Sequence, residues 1–406
     1  MTKTSRLPGK AVLIYLVPAL VDLVLSLVIF VGTIRVARLG GDATRAGSAL
    51  AVWSLIYVLV CPLIGRLVTA RNAHQLVLAG CLLFALSCGL LTLAVTFLPM
   101  ILLIGVIGLA SALFFVSFQI LMKDFDAAGG RPLSYSVGLY TFSWSAGFAF
   151  GPLAAGFLMQ HGAPATAGAD GNGWRYAFGF GAVVALALTA VLSVAFRGRS
   201  RQMTDAAKPQ PPMAAQTIRT TALPDLAWLG WISAAAGFVA LAVNRTVFAS
   251  RAVSELHLTD SFIGAIFFTF SMAQALTGLA LFRSRSWMYR PLPVATLALP
   301  GILGLLAFGF CRHPALLVAG AALFGIYSGG FCFYFVYHSL AHLTRAEKYI
   351  AVNETIVGLA SFAAPLLGGL LADAWGVRYP FLAAAGLTLL VTALQIGVHR
   401  KSRLPL

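Results

Sequence analysis

The sequence is poor in charged residues, and acids are especially scarce. Of its 406 residues only 10% are charged, with 12 Asp and Glu in all, whereas 60% are hydrophobic. Soluble domains average about 45–50% apolar and about 25% charged residues, so a soluble enzyme is excluded. The hydrophobic residues are enough for twelve membrane spans of about 20 residues each. The composition therefore predicts an all-α polytopic membrane protein.

Sequence motifs for catalysis are also missing. The chain has no phosphate-binding glycine loop, no HExxH and no nucleophile elbow. The five cysteines have no CxxC spacing and all fall within apolar runs, which is typical of core residues. We therefore expect no enzyme activity, no metal and no cofactor. An ion gradient, rather than ATP hydrolysis within the chain, is then the natural energy source.

Apolar runs separated by charged or Gly/Pro-rich breaks predict twelve transmembrane helices. These predicted spans are 11–34, 46–64, 75–96, 98–122, 135–159, 175–196, 226–249, 261–282, 292–311, 314–341, 347–373 and 378–399.

The net charge of +16 is distributed between these spans rather than in one long basic run. Twenty of the 28 Lys and Arg residues lie on the side that carries the N-terminus. By the positive-inside rule both termini are cytoplasmic, and we expect a multi-pass protein of a bacterial inner membrane. The remaining eight are assigned to outer segments: Arg35, Arg38, Arg45, Arg175, Arg245, Arg251, Arg312 and Arg378.

The chain is predicted to consist of two homologous halves. Residues 1–196 and 226–406 each carry six spans, and 197–225 form a polar, proline-containing cytoplasmic linker. The segment Gly151–Gly156 resembles Ala364–Gly369, and Gly173–Phe178 resembles Gly376–Phe381. The internal duplication predicts two pseudo-symmetric six-helix bundles, with a solute site between them near the bilayer midplane.

Twelve spans in two homologous halves joined by a basic linker resemble the major facilitator superfamily. The loop between spans 2 and 3 keeps part of the superfamily signature at Pro62, Gly65, Leu67 and Arg71, but has Thr69, Ala70 and Asn72 in place of its acid, base and glycine. Span 5 resembles the antiporter motif of the drug:proton branch, with Ala155 as the one departure, at Gly138, Gly147, Gly151, Pro152 and Gly156. Small residues at this spacing also allow close helix packing with no bearing on transport.

Asp22 is the first candidate for ion coupling, because it lies halfway along span 1. A carboxylate at the centre of a spanning helix costs about 2.5–3.5 kcal/mol on insertion scales. Tyr15, Ser26 and Thr33 follow the same line along the helix, which is typical of a wet cavity wall. The pattern predicts a protonation site or a cation contact. The alternative is a hydrogen-bonded acid that fixes helix packing.

Two further residues are candidates for proton coupling. Glu354 lies inside span 11, where it either titrates or pairs with Lys348 or Arg345 at an inner gate. His338 continues an aromatic stripe on span 10 and is a possible proton relay. Asp373, in contrast, is followed by a glycine three residues later and indicates a helix end.

The predicted substrate contacts are polar and aromatic residues on one face of spans 1, 4, 8 and 10. They are Tyr15, Ser26, Phe115, Phe118, Gln119, Phe270, Gln274, Tyr327, Phe331 and Tyr334. We expect an aromatic, weakly acidic cavity with no Lys or Arg near its centre. Such a cavity favours lipophilic neutral or cationic compounds over anions.

The predicted function is a secondary active transporter that exports lipophilic or amphiphilic small molecules by proton antiport. The alternative is an uptake symporter or facilitator for a small nutrient or cofactor. A membrane enzyme or a non-transporting assembly factor is a third class. The expected partners are a small-molecule substrate, protons and the lipid bilayer, without nucleic acid, and the protein is expected to be a monomer.

Overall fold

The computed structural model describes residues 8–39, 41–69, 71–129, 133–162, 172–197, 225–281, 286–340 and 346–401. Twelve helices in these ranges are long and apolar enough to cross a membrane, which confirms the predicted number of spans. Most of the predicted linker, residues 198–224, lies outside the described residues, as does Arg345.

Most helix ends lie within a few residues of the predicted ends of the spans. Some helices, such as the fourth and the seventh, extend further. In chain order they are α1 (Pro8–Arg38), α2 (Ala43–Leu67), α3 (Ala73–Leu91), α4 (Phe97–Gly129), α5 (Leu133–His161), α6 (Gly173–Arg197), α7 (Ala227–Ser254), α8 (Asp260–Leu281), α9 (Pro291–Phe310), α10 (Pro314–Leu340), α11 (Ala346–Trp375) and α12 (Arg378–Lys401). A short 3₁₀ helix, Ser286–Tyr289, precedes α9.

The helices form an N-terminal bundle (α1–α6) and a C-terminal bundle (α7–α12), which meet through two long helix pairs. Helix α5 packs against α1 of its own bundle and against α8 of the other, and α2 packs against α11. We call the membrane side of the α1–α2 loop the loop side. The opposite side, where α6 ends and α7 begins, is the linker side.

Helix α7 is not a regular α-helix throughout. Its α-helical segment Ala227–Val243 is followed by a π-helical turn, Asn244–Phe248, and by a last α-helical segment, Ala249–Ser254. Two arginines that we had assigned to outer segments, Arg245 and Arg251, therefore lie within a membrane span. For Arg251 that assignment was wrong because α7 continues several residues beyond the predicted end at 249, whereas Arg245 already falls inside the predicted span 226–249 and was wrongly counted with the outer residues.

Helix α11 ends where the sequence predicts. Gly376 has a φ of 108°, a left-handed conformation that glycine adopts without strain. Its N–H donates to the carbonyl of Ala372 at 2.8 Å. Asp373, in the last turn of α11, is exposed and faces the other bundle.

The two bundles are joined by polar contacts on the loop side. Arg38 at the end of α1 forms an ion pair of 2.6 Å with Asp260 at the start of α8. The Asp373 carboxylate accepts hydrogen bonds from the N–H groups of Ala43 and Thr44, at 3.0 and 3.1 Å, and from the Thr44 hydroxyl at 2.6 Å. Asp373 thus caps the N-terminus of α2 from the opposite bundle. These contacts close the loop side of the interface.

Replacing Asp373 with alanine is expected to loosen this closure. An N-terminal cap contributes about 1 kcal/mol, and here the cap also holds two bundles together. In a cysteine-free background carrying Thr33→Cys, we expect Asp373→Ala to increase labelling by a membrane-impermeant maleimide about threefold or more. Thr33 is buried, one turn along α1 from Phe30, which packs against Phe267 of the C-terminal bundle.

Asp42→Ala is the matched control. Asp42 also caps α2, through a 2.7 Å hydrogen bond from the Arg45 N–H, but it belongs to the same bundle. The control removes a cap without removing a contact between the bundles, so labelling should stay at the unmodified level. Equal labelling of both variants would contradict the assignment of Asp373 to loop-side closure.

Candidate functional site

Close packing of α5 against α1 positions the first candidate residue. The two glycines of the span-5 motif, Gly147 and Gly151, lie against the backbone of α1. A Cβ at Gly147 would overlap the carbonyl of Ala19 and lie 2.9 Å from the Asp22 Cβ. A Cβ at Gly151 would overlap the Ser26 hydroxyl, which itself lies 3.4 Å from the Gly147 carbonyl that it donates to. The missing side chains thus allow the two helices to touch beside Asp22.

The rest of the motif packs in a second direction. A Cβ at Gly156 would overlap the Asp260 carbonyl, and the Pro152 carbonyl lies against Gly264 of α8. Gly138 and Ala155 are buried. The motif therefore contacts α1 of its own bundle with one part and α8 of the C-terminal bundle with the other.

Asp22 is 3% exposed, and its Oδ2 has no hydrogen-bond partner among the residues that the structure describes. Two groups interact with it electrostatically, the Tyr140 hydroxyl of α5 and the Arg245 guanidinium of α7. The side chains of Tyr140 and Gln119 are hydrogen-bonded to each other, which brings α4 to the same place. A buried carboxyl oxygen without a donor is costly when ionised and far less costly when protonated.

Glu354 of α11 is only partly buried and lies on the other side of this interface. Its carboxylate interacts electrostatically with Tyr57 and Cys61 of α2 and with Tyr140. Tyr140 is thus within the electrostatic reach of both Asp22 and Glu354. The alternative partner Lys348 has a side chain outside the described residues.

Arg245 is in the π-helical turn of α7, between the bundles. Its guanidinium lies 4.3 Å from the Phe148 ring centre of α5 and 5.8 Å from the Phe270 ring centre of α8. The expectation that no Lys or Arg lies near the centre of the cavity is therefore wrong. The extra residue of a π-helical turn changes the direction of the side chains, and such turns are frequent at functional sites.

Several predicted substrate contacts are engaged in hydrogen bonds or packing within the protein. The Gln274 amide donates to Ser145 at 3.0 Å and accepts from Ser328 at 2.6 Å, which ties α8 to α5 and α10. Phe115 and Phe118 pack with Phe114 within the N-terminal bundle.

The predicted stripe on α10 lines a different cavity. Tyr327, Phe331 and Tyr334 border a small cavity of about 20 Å³ inside the C-terminal bundle, between α7, α9, α10 and α12. Its polar lining includes Gln395. Neither Asp22 nor Arg245 lines it.

His338 belongs to the linker-side end of this bundle. Its ring centre lies 4.4 Å from that of Tyr334 and 5.2 Å from that of Tyr289. The structure thus brings Asp22 and Glu354 to the interface between the bundles but leaves His338 among the aromatic rings of one bundle.

Asp22, Tyr140, Arg245 and Glu354 form what we call the central group. The sequence interpretation missed two of its members, Tyr140 and Arg245. Tyr140 lies two residues after the first glycine of the span-5 motif, and this proximity was the available signal. Arg245 follows an asparagine in the second half of an apolar run, where a charge is as unusual as at Asp22.

In chemical terms the central group joins an acid and a base of opposite charge, a second acid and aromatic rings. Within the described part of the chain, no cluster of His, Cys, Asp or Glu is placed to hold a metal ion. Such residues can bind a proton and a solute that makes polar and aromatic contacts.

Comparisons with known proteins agree with this architecture. The profile of the Major Facilitator Superfamily matches residues 13–349, and no curated protein matches in sequence. A bacterial homologue of the human lysosomal transporter Spinster, inward-facing and unoccupied, has a TM-score of 0.73 at 12% identity, covering 99% of this chain and 100% of that one. The nucleoside transporter NupG has a TM-score of 0.67 at 13% identity, covering 95% and 98%. At these identities the likeness shows the fold.

A large side chain at Gly147 should block transport. Gly147→Leu places atoms where the α1 backbone lies, and overpacking of this kind costs about 1–3 kcal/mol. We expect normal insertion into the membrane but at least about a tenfold lower transport rate, because α1 is forced away from α5 beside Asp22. Transport in proteoliposomes and the amount of folded protein are both measured. Gly179→Leu on α6, where a Cβ meets no atom within 4 Å, is the control. Normal transport by Gly147→Leu would show that the contact is dispensable.

Proposed function

We propose that this chain, which belongs to the Major Facilitator Superfamily and is a multi-pass membrane transporter, is a proton-coupled secondary transporter of amphiphilic small molecules. Asp22 is its principal proton-coupling residue. The observation that carries the proposal is the burial of Asp22 beside the bundle interface, with one carboxyl oxygen that lacks a hydrogen-bond donor.

Asp22 meets the requirements of a coupling residue. A buried carboxyl that exchanges a proton changes the net charge of the interface by one unit, and the charged form needs a partner in the low-dielectric interior. The groups that face it are Tyr140 from α5 and Arg245 from α7. Arg245 favours the ionised form, whereas burial favours the neutral one, so the protonation state depends on how the bundles are placed.

Alternating access in such a two-bundle fold rocks one bundle against the other. The ion pair between Arg38 and Asp260 and the cap formed by Asp373 hold the loop side closed, and both must break for that side to open. The Gly147 contact lies beside Asp22, so movement of α5 against α1 changes the surroundings of its carboxylate. Glu354, on the C-terminal bundle, is proposed as a second acid that responds to the same movement.

The span-5 motif supports export by proton antiport. In this proposal both termini lie in the cytoplasm of a bacterium. Antiport requires that substrate and proton compete, as a cationic substrate would compete with the proton for Asp22.

Arg245 supports the alternative of symport. When Asp22 is ionised, its charge compensates Arg245; when it is protonated, Arg245 is left to bind an anion. Proton and anionic substrate would then bind together, which is the requirement of a symporter.

Asp22→Asn tests the coupling role. The amide keeps the size and the hydrogen-bonding capacity but cannot exchange a proton. We expect transport driven by a pH gradient to fall at least about a hundredfold, while substrate exchange without a gradient continues. The measurement uses proteoliposomes and a substrate found by thermal-shift screening of purified protein, since binding raises the apparent stability of the folded state.

Asp42→Asn, an exposed acid at the start of α2, is the matched control and should retain full transport. Gradient-driven accumulation by Asp22→Asn at the unmodified rate would contradict the assignment. The sign of coupling comes from the same liposomes. Accumulation against an opposing proton flow indicates antiport, and accumulation along with the proton indicates symport.

A further inference from the structure

Arg245 is the one cation that the described residues place between the bundles, away from both membrane surfaces. At 1.5 Å per residue it lies about 14 Å along α7 from Ser254. Its neighbours Asn244 and Thr246 are 1% and 0% exposed, whereas Arg245 itself is only partly buried. The π-helical turn therefore directs this one side chain into a space that its neighbours do not reach.

The Arg245 guanidinium has aromatic contacts, but no carboxylate among the described residues forms an ion pair with it. Both ion pairs within 4.0 Å among the described residues belong to other arginines, Arg38 and Arg251. No side-chain hydrogen bond within the same part of the chain comes from Arg245. Stacking on Phe148 stabilises the charge through one face of the group, but the N–H donors point outward in the guanidinium plane. These donors are therefore available to an acceptor.

Two groups interact electrostatically with Arg245, the Cys332 thiol of α10 and the Asp22 carboxyl of α1, but Asp22 does not fill this role in the structure. Its interaction with Arg245 acts through space, without an ion pair inside 4.0 Å, and its Oδ2 has no donor. The acid is thus left with one buried oxygen that has no donor, and the N–H donors of the base are left available. A proton satisfies the acid, and an anion satisfies the base.

We propose that Arg245 binds an anionic group of the transported molecule, a carboxylate or a phosphate, whose apolar body lies against Phe148 and Phe270. The planar fork of arginine matches both anions with two parallel hydrogen bonds. The inference rests on the proposed function only in its second part, that protonation of Asp22 releases Arg245 for the anion. The groups facing Asp22 in this linkage are Tyr140 and Arg245, with Glu354 reached through Tyr140, and the Cys332 thiol of α10 faces Arg245.

Four probes that share one aromatic body test the proposal: phenylbutyrate, phenylbutyl phosphate, phenylbutanol and phenylbutylamine. Apparent dissociation constants are obtained by thermal-shift titration of the detergent-purified, full-length protein. Hydrogen bonds to charged groups contribute about 1.5–3 kcal/mol. The two anionic probes should therefore bind about tenfold or more tightly than the alcohol and the amine.

Variants at two arginines show whether this preference comes from Arg245. Arg245→Gln should remove the preference for the anionic probes, and Arg245→Lys should retain part of it. Arg175→Gln removes the same charge from an exposed position on the loop side and should leave it unchanged. The comparison of probes on the unmodified protein needs no variant, so a folding defect of Arg245→Gln does not prevent the test. Equal binding of all four probes, or a preference that survives in folded Arg245→Gln, would overturn the proposal.

The pH dependence separates this inference from the proton-coupling role. Phenylbutyrate, which is ionised at both pH values, should bind more tightly to the unmodified protein at about pH 6 than at about pH 8. Asp22→Asn should bind it at about pH 8 as tightly as the unmodified protein does at about pH 6. A preference that depends on Arg245 but not on pH would support the anion site and contradict Asp22 as its proton switch.

Discussion

A charge in the interior of a membrane protein must be compensated, and this constraint governs the centre of the structure. Asp22 lies on one bundle and Arg245 on the other, so the compensation of each depends on the distance between the bundles. Neither group makes a direct ion pair in the state described. A proton on the acid or an anion on the base can replace the missing partner. Either one therefore changes the free energy of bringing the bundles together.

The two bundles share one architecture but do not use equivalent residues in the same way. Arg38 and Arg251 lie near the ends of α1 and α7, the first helix of each bundle. Arg38 reaches across to Asp260 of the other bundle. Arg251 is instead buried within its own bundle, where it donates to the Phe308 carbonyl and to Glu255. A lock between bundles needs an acid and a base on opposite partners, so only one copy of the arginine can serve it.

The sequence predicted the architecture well, because span length and apolarity are properties of single segments. It also indicated that Asp22 and the α10 stripe avoid lipid. It did not indicate which neighbour each one faces: Tyr327 and Tyr334 line a cavity within one bundle, whereas Asp22 interacts with Arg245 across the interface. Arg245 was misplaced because hydropathy averages hide one cation in an apolar run, and because the sequence carries no reliable signal for a π-helical turn.

Close contact between α1 and α5 connects these observations to transport. Where Gly147 and Gly151 lie against α1, the two backbones touch with no flexible side chains between them. Such an interface transmits small displacements, because rigid atoms in contact have little room to relax. The other end of the same motif, at Gly156, touches Asp260, which holds Arg38. Opening of the loop side would thus act on helix α5 directly, and through α5 on the surroundings of Asp22.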